Sequence, residues 1–255
     1  MNTHVTKISC REVSKTFIQK GTQHIHVLEN ISLDVKENEF LVLLGPGQSG
    51  KSTLLRIIAG LEKPSAGQAL LNGRQVEGPG PDRSMVFQTY SLFPWRTVRS
   101  NVEMGLRFKG MPSGERRKIS QKYIDLVGLG GFESSFPHQL SGGMKQRVGI
   151  ARAYANSPEV LLLDEPFGQL DAQTRYLMEQ EIVRIWEQEK RTVIFVTNNI
   201  DEAIFVGDRI VVMEGKLPGR LHTTYTNPLP RPRAHDSLPF LELRKTITDA
   251  TELTL

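Results

Sequence analysis

The string GPGQSGKST, Gly45 to Thr53, restricts what this chain can fold into more than any other stretch. It follows an apolar run, Phe40 to Leu44, and opens a segment whose apolar residues Leu54, Leu55, Ile58 and Leu61 recur at helical spacing. The string fits G-x-x-x-x-G-K-[ST] in a strand–loop–helix setting. Glycines there let main-chain N–H groups close around phosphate oxygens, and the helix start adds roughly half a positive charge. Lys51 supplies a full charge for β and γ phosphates, and Ser52 a hydroxyl for Mg²⁺. A chance glycine turn would match the pattern in a chain of this length with odds on the order of one in a hundred. The reading is a nucleoside triphosphate site built from Gly45, Pro46, Gly47, Gln48, Ser49, Gly50, Lys51, Ser52 and Thr53.

Composition bounds the rest. With 255 residues, 38% apolar and 24% charged, the chain can bury a core as one large domain or two small ones, and an ordered chain is expected. The net charge of +4, from 32 basic and 28 acidic residues, comes without a long basic block and describes a solvated mixed surface rather than a nucleic-acid binder. A lone cysteine, Cys10, forbids an intrachain disulfide and fits a reducing compartment. The first residues lack an apolar signal-peptide core, and the longest apolar runs fall far short of the roughly 20 residues needed to cross a bilayer. A soluble chain that reaches a membrane only through a partner is expected.

Strand and helix signals alternate along most of the chain. ISLDVKENEFLVLLG reads as two strands around a turn, and GLEKPSAGQALLNGRQV as short strands and turns. From about Thr97 to Leu140 the pattern becomes helical, with Ile119, Tyr123, Leu126 and Val127 on one stripe. EVLLLDE, TVIFVT and DRIVVM are continuous apolar runs, the mark of parallel strands buried on both faces. Such alternation implies an α/β sheet covered by helices. The proline-rich stretch NPLPRPR and the residues after it read as a connector and a small C-terminal appendage.

Two further constellations carry chemistry. LLLDEP ends a buried strand on Asp164, where a carboxylate is costly unless it meets a cation such as Mg²⁺. Glu165, pointing differently, is the candidate general base; a strand-end acid pair alone could equally begin a turn. In LSGGMKQR, Ser141 is a good N-cap, and Gly142 and Gly143 bare the first amides of a helix. An ordinary capped helix would look the same. Beside an existing phosphate loop, however, a second anion-binding helix start serves a neighbour's nucleotide, which points to a dimer closed by ATP.

Taken together, Gly45–Thr53, Gln88, LSGGMKQR, LLLDEP and Asp171 resemble the nucleotide-binding subunits of ATP-binding cassette (ABC) transporters over about residues 5 to 215. The resemblance implies an α/β fold: a P-loop NTPase core with a mostly parallel sheet, an antiparallel β subdomain, and an α-helical subdomain inserted at about 97–155. It implies a cassette over 5–220 with the appendage at 221–255. Phe17 resembles the aromatic that stacks on adenine, where simple core packing is the plainer alternative. Gln88 looks like the glutamine that senses Mg²⁺. Ser141, Gly142 and Gly143 resemble the signature that caps the partner's γ phosphate, and Asp171 the loop aspartate at the dimer interface. After the strand threonine the family usually has a histidine facing the γ phosphate; this chain has Asn198, and hydrolysis slower than usual is expected. Gln169 also departs, standing where a small residue is common.

FQTYSLFPWRTVRSNVEMGL, NNIDEAIFVGDRIVVM and LPRPR look most like the importers of nitrate, sulfonates, taurine or bicarbonate. That branch implies ATP hydrolysis with Mg²⁺, a second nucleotide-binding subunit, two transmembrane permease subunits and an extracytoplasmic solute-binding protein. It implies a peripheral position on the cytoplasmic face of the cell membrane. Leu92, Phe93 and Trp95 are candidates for receiving a permease helix, or else core residues of the helical subdomain. A low-activity ATP-binding regulator, which Asn198 would suit, and a soluble cassette ATPase outside transport are the alternatives. The absence of a second cassette or a long coiled-coil insertion speaks against the latter.

Overall fold

The computed structural model describes residues 5–19 and 23–250. In chain order the elements are β1 (Thr6–Gln19), β2 (Gln23–Lys36), β3 (Phe40–Leu44), α1 (Lys51–Ala59), β4 (Ala66–Leu71), β5 (Arg74–Gln75), β6 (Arg83–Val86), α2 (Val98–Val102), α3 (Met104–Phe108) and α4 (Ser113–Leu126). A 3₁₀ turn, Pro137–Gln139, precedes α5 (Gly142–Ala155), β7 (Val160–Asp164), α6 (Ala172–Gln188), β8 (Thr192–Thr197), α7 (Ile200–Val206), β9 (Arg209–Met213), β10 (Leu221–Thr226) and α8 (Leu238–Asp249). The chain divides into two compact units: the first joins the residues up to 80 with those from 191 on, and the second is residues 81–190.

The first unit holds two sheets. In one, β2, β1, β4 and β5 pair antiparallel in that order. β2 buries Ile31, Leu33 and Val35 and exposes the residues between them, the alternation of a sheet with one wet face. In the other, β3 lies parallel between β9 and β8, and β10 closes the edge antiparallel to β9. Every residue of β3 and β8 is buried, which is why their sequences are unbroken apolar runs. Leu221–Thr226, expected in the connector, is a half-buried strand instead, because its alternate residues turn inward. Cys10 is buried in β1, and burial, then the nearby Asp34, pushes its thiol up to about 12, leaving it inert at neutral pH.

The second unit pairs β6 parallel to β7, with Val86 opposite Leu163. α5 is its hub, packing against β6, α2, α3, α4 and α6. On α4 the buried stripe is Ser120, Tyr123, Ile124 and Val127 at the helix end, displaced from the expected Ile119 and Leu126, which are half-buried. Tyr123 and Val127 keep their expected places, and the Tyr123 ring stacks on Tyr154 of α5 with centroids 6.2 Å apart. Fully buried Asn101 of α2 accepts from Phe93 N (2.9 Å) and donates to the carbonyls of Phe93, Arg96 and Thr97. One side chain thus shapes the whole 93–97 loop and leaves Trp95 at its tip, 71% exposed. Among the described residues no helix is long and apolar enough to cross a membrane.

Candidate functional site

In the first unit, in-register pairing of β3 and β8 sets Leu44 beside Thr197, and Gly45 N donates to Thr197 O at 3.3 Å. The loop after β3 and the turn after β8 therefore leave the sheet at the same end, past the carboxyl termini of the two strands. Gly45 and Ser49 are buried, Pro46 is half-buried, and Gly47 and Gln48 face outward. A Cβ at Gly47 would meet nothing within 4 Å, so open space lies over the loop's crest. Gly50 caps α1 with φ 88°, and a Cβ there would sit 2.6 Å from Leu28 Cδ2, so both dihedral and packing demand glycine. Lys51 is 3% exposed and donates to the carbonyls of Gly45 (2.8 Å) and Pro46 (2.7 Å) and to Ser49 Oγ (3.2 Å). Its ammonium is thereby folded into the loop's own ring. Ser52 and Thr53 follow in the first turn of α1, half-buried.

Asn198 stands exposed just past β8. Thr197 Oγ1 accepts from Asn199 N (3.0 Å) and donates to Glu202 Oε2 (2.6 Å), while Asn199 Oδ1 caps α7 by accepting from Asp201 N and Glu202 N. These bonds set the turn that presents Asn198. Phe17, on β1, is 36% exposed with Lys15 Nζ 4.6 Å from its ring centroid, so it lies at the surface rather than in the core.

The second unit holds the carboxylates. Asp164 ends β7 with 5% exposure. Glu165 then takes a left-handed φ of 43°, a conformation that costs a non-glycine residue about 1–2 kcal/mol and marks functional turns. Gln88, exposed past β6, donates Nε2 to Glu165 Oε2 at 3.4 Å, so these two candidates meet. Ser141 is the N-cap of α5, its hydroxyl accepting from Met144 N at 3.3 Å. A Cβ on Gly142 would lie 2.7 Å from Tyr90 Oη, and one on Gly143 2.8 Å from Thr174 Cγ2, so both glycines also serve close packing. Asp171, exposed, caps α6 by accepting from Thr174 N (2.9 Å) and Thr174 Oγ1 (2.7 Å). Those bonds from Thr174 hold its carboxyl below the usual range.

Mg²⁺ takes hard oxygen donors, few of them from protein when phosphates share the ion. The hydroxyl of Ser52, the buried carboxylate of Asp164 and the amide oxygen of Gln88 are donors of that class. Among the described residues no group of three or more His, Cys, Asp or Glu is gathered that could hold a metal alone. Each of the three, within its own unit, offers one oxygen of the kind that an ion bound chiefly through a nucleotide's phosphates accepts.

A family model described as ABC transporter matches residues 28–168. The chain belongs to that family. This ABC cassette is 52% identical to an uncharacterised ABC transporter ATP-binding protein of Methanocaldococcus jannaschii over 94% of its own length and 90% of the relative's. It is 44% identical to the aliphatic sulfonates import ATP-binding protein of Bacillus cereus, over 96% of each chain. A solved dimeric bacterial ABC transporter cassette superposes with a TM-score of 0.77 at 35% identity, covering 88% of this chain and all of the other. A related dimer bound to ADP and Pi gives the same TM-score at 34% identity. The protein is thus an ATP-binding ABC ATPase with the expected α/β fold: parallel strands at the core, an antiparallel sheet and a helical region.

Sequence reasoning missed three parts of these sites. Tyr90 covers Gly142, Glu202 braces Thr197, and the carbonyls ending α7 take bonds from Asn227, Arg231 and Arg233. Only the last left a trace in the sequence, as basic residues inside a proline-rich tail too polar to read as packed structure.

Proposed function

We propose that this chain is the ATP-hydrolysing subunit of an importer for a small anion, an aliphatic sulfonate before nitrate, taurine or bicarbonate. The observation that carries this is its 44% identity, along 96% of both chains, with an aliphatic sulfonates import ATP-binding protein. Phe17 stacks on adenine, and residues 45–53 cradle the phosphates with Lys51 against the β and γ groups. Ser52, Asp164 and Gln88 hold Mg²⁺, which neutralises charge developing on the phosphate oxygens. Glu165 accepts the proton of the attacking water, and Asn198 donates its amide to a γ-phosphate oxygen. Ser141, Gly142 and Gly143 cap the γ phosphate held by a second nucleotide-binding subunit, with Asp171 at the same interface. Charge-assisted bonds contribute roughly 1.5–3 kcal/mol each, and several per nucleotide bias the pair toward closure.

Trp95 fits the coupling role. An indole so exposed on a loop shaped by a buried Asn101 suits an apolar partner rather than the core of its own subdomain. The permease subunits supply that partner, a solute-binding protein delivers the anion, and the cassette sits peripherally on the cytoplasmic face. Co-purification from membranes identifies the permease. In vesicles holding that permease and its binding protein, ethanesulfonate should raise ATP hydrolysis. Trp95→Ala should abolish the rise while sparing the soluble cassette's ATPase. Stimulation by nitrate and not by sulfonate would move the assignment to another anion. Recovery of the chain with no membrane partner would favour the regulator or soluble reading.

A further inference from the structure

α7 is short, and its C-terminal end is closed from outside the helix. Gly207 N reaches Ala203 O, which leaves the carbonyls of Ile204, Phe205 and Val206 without partners within the helix. Side chains of the tail take all three. Arg233 Nη1 donates to Ile204 O (2.8 Å), Phe205 O (2.9 Å) and Gly207 O (2.8 Å), and its Nε to Leu229 O (3.1 Å). Asn227 Nδ2 donates to Ile204 O (2.8 Å) and Gly207 O (3.0 Å), and Arg231 donates to Val206 O while pairing with Asp208. Arg233 is 8% exposed, and burial, with Arg231 nearby, pulls its guanidinium down to about 10, still charged at neutral pH.

The tail also grips the helix elsewhere. His235 lies between Phe205 of α7 and Phe240 of α8, with centroids 4.7 and 4.8 Å away. Arg244 of α8 comes within 3.0 Å of Asp201 in the first turn of α7, close enough for an ion pair though not aligned for a hydrogen bond. The other end of α7 is tied through Asn199, Thr197 and Glu202 to the turn bearing Asn198. A helix of this length spans about 10 Å, so its capped C-terminal end lies about two turns from the turn that bears Asn198.

We infer that Arg233 is a positioning residue for ATP hydrolysis: by capping the buried end of α7 it holds Asn198 where the amide can meet the γ phosphate. This rests on the proposed contact of Asn198. A cap that only stabilised the fold would weaken every step alike, whereas a positioning cap acts on hydrolysis through one residue.

The test is a double-mutant cycle on the full-length chain with Mg-ATP, measuring kcat, KM and thermal midpoint for Arg233→Lys, Asn198→Ala and the pair. Displacement by about 1 Å can lower a rate up to about 100-fold. The expectation for Arg233→Lys is a fall in kcat of about tenfold, KM changed by less than about twofold, and a further fall of less than about twofold when Asn198 is already Ala. Asn227→Ala, which removes donors to two of the same carbonyls and leaves Arg233 in place, should shift kcat in the same direction less strongly. Losses that multiply in the double variant, or a folded Arg233→Lys and Asn227→Ala pair with unaltered kcat, overturn the inference. An Asn198→Ala protein with full kcat overturns the proposed contact as well, and so separates that failure from the failure of Arg233 alone.

Discussion

Asn198 follows β8 with a neutral amide where cassettes of this family usually carry a histidine. An amide can donate to a phosphate oxygen, but it cannot hold a proton charge, and it reaches less far than an imidazole. General acid–base groups contribute about 10²–10⁴-fold, and with the proposed base Glu165 present the expected deficit is partial. Asn198→His is expected to raise kcat several-fold and to add an acidic limb to the pH–rate profile near the ordinary histidine pKa of about 6.5. Steady-state assays from pH 5.5 to 8.5 check both, and a lower rate at every pH would remove Asn198 from the site. Where the site residues were legible, each sat on a strand end or helix start that its own neighbours in sequence announce, as Ser52 and Asp164 do. Phe17 was ambiguous, since a single aromatic in a strand can face core or solvent. Its position beside Lys15 at the surface is decided by the pairing of β1 and β2.

At the scale of elements, α1 shows how closely the phosphate loop depends on what ends its helix. Gly60 caps α1 with φ 76°, its N–H meeting the carbonyls of Arg56 and Ile57, and a Cβ there would lie 2.2 Å from Gly78 O. Leu61, read in the sequence as a member of the buried face, falls beyond this cap and is 48% exposed. Gly60→Ala should destabilise the protein by more than about 1 kcal/mol, because strain in the left-handed region adds to a clash with backbone that cannot step aside. A urea titration reads the shift in midpoint; an unmoved midpoint would show that the Gly78 segment yields freely. α4 makes a related point. Its period and the inward places of Tyr123 and Val127 were legible, but the partner of Tyr123, the ring of Tyr154 on α5, lies far away in sequence.

For the whole molecule, family membership and the dimeric cassettes it resembles make ATP-driven pairing the behaviour to test. Glu165→Gln removes the proposed base and keeps the shape, so ATP should bind and persist. Gel filtration with Mg-ATP should then show a dimer that the unmodified chain populates only transiently; elution as a monomer would refute closure around trapped nucleotide. What the sequence determined alone was local: a phosphate loop between an apolar run and a helix, carboxylates at a buried strand end, a serine cap before paired glycines. Such motifs are readable because the atoms they need are main-chain amides and neighbouring side chains, which short-range geometry brings together. The tertiary structure decided what depends on distant segments. It made a sheet edge of Leu221–Thr226, put Gln88 within reach of Glu165, and closed α7 with Arg233. Those contacts follow from which surfaces the folded chain buries against one another, and a buried carbonyl or carboxylate takes whatever donor the fold delivers.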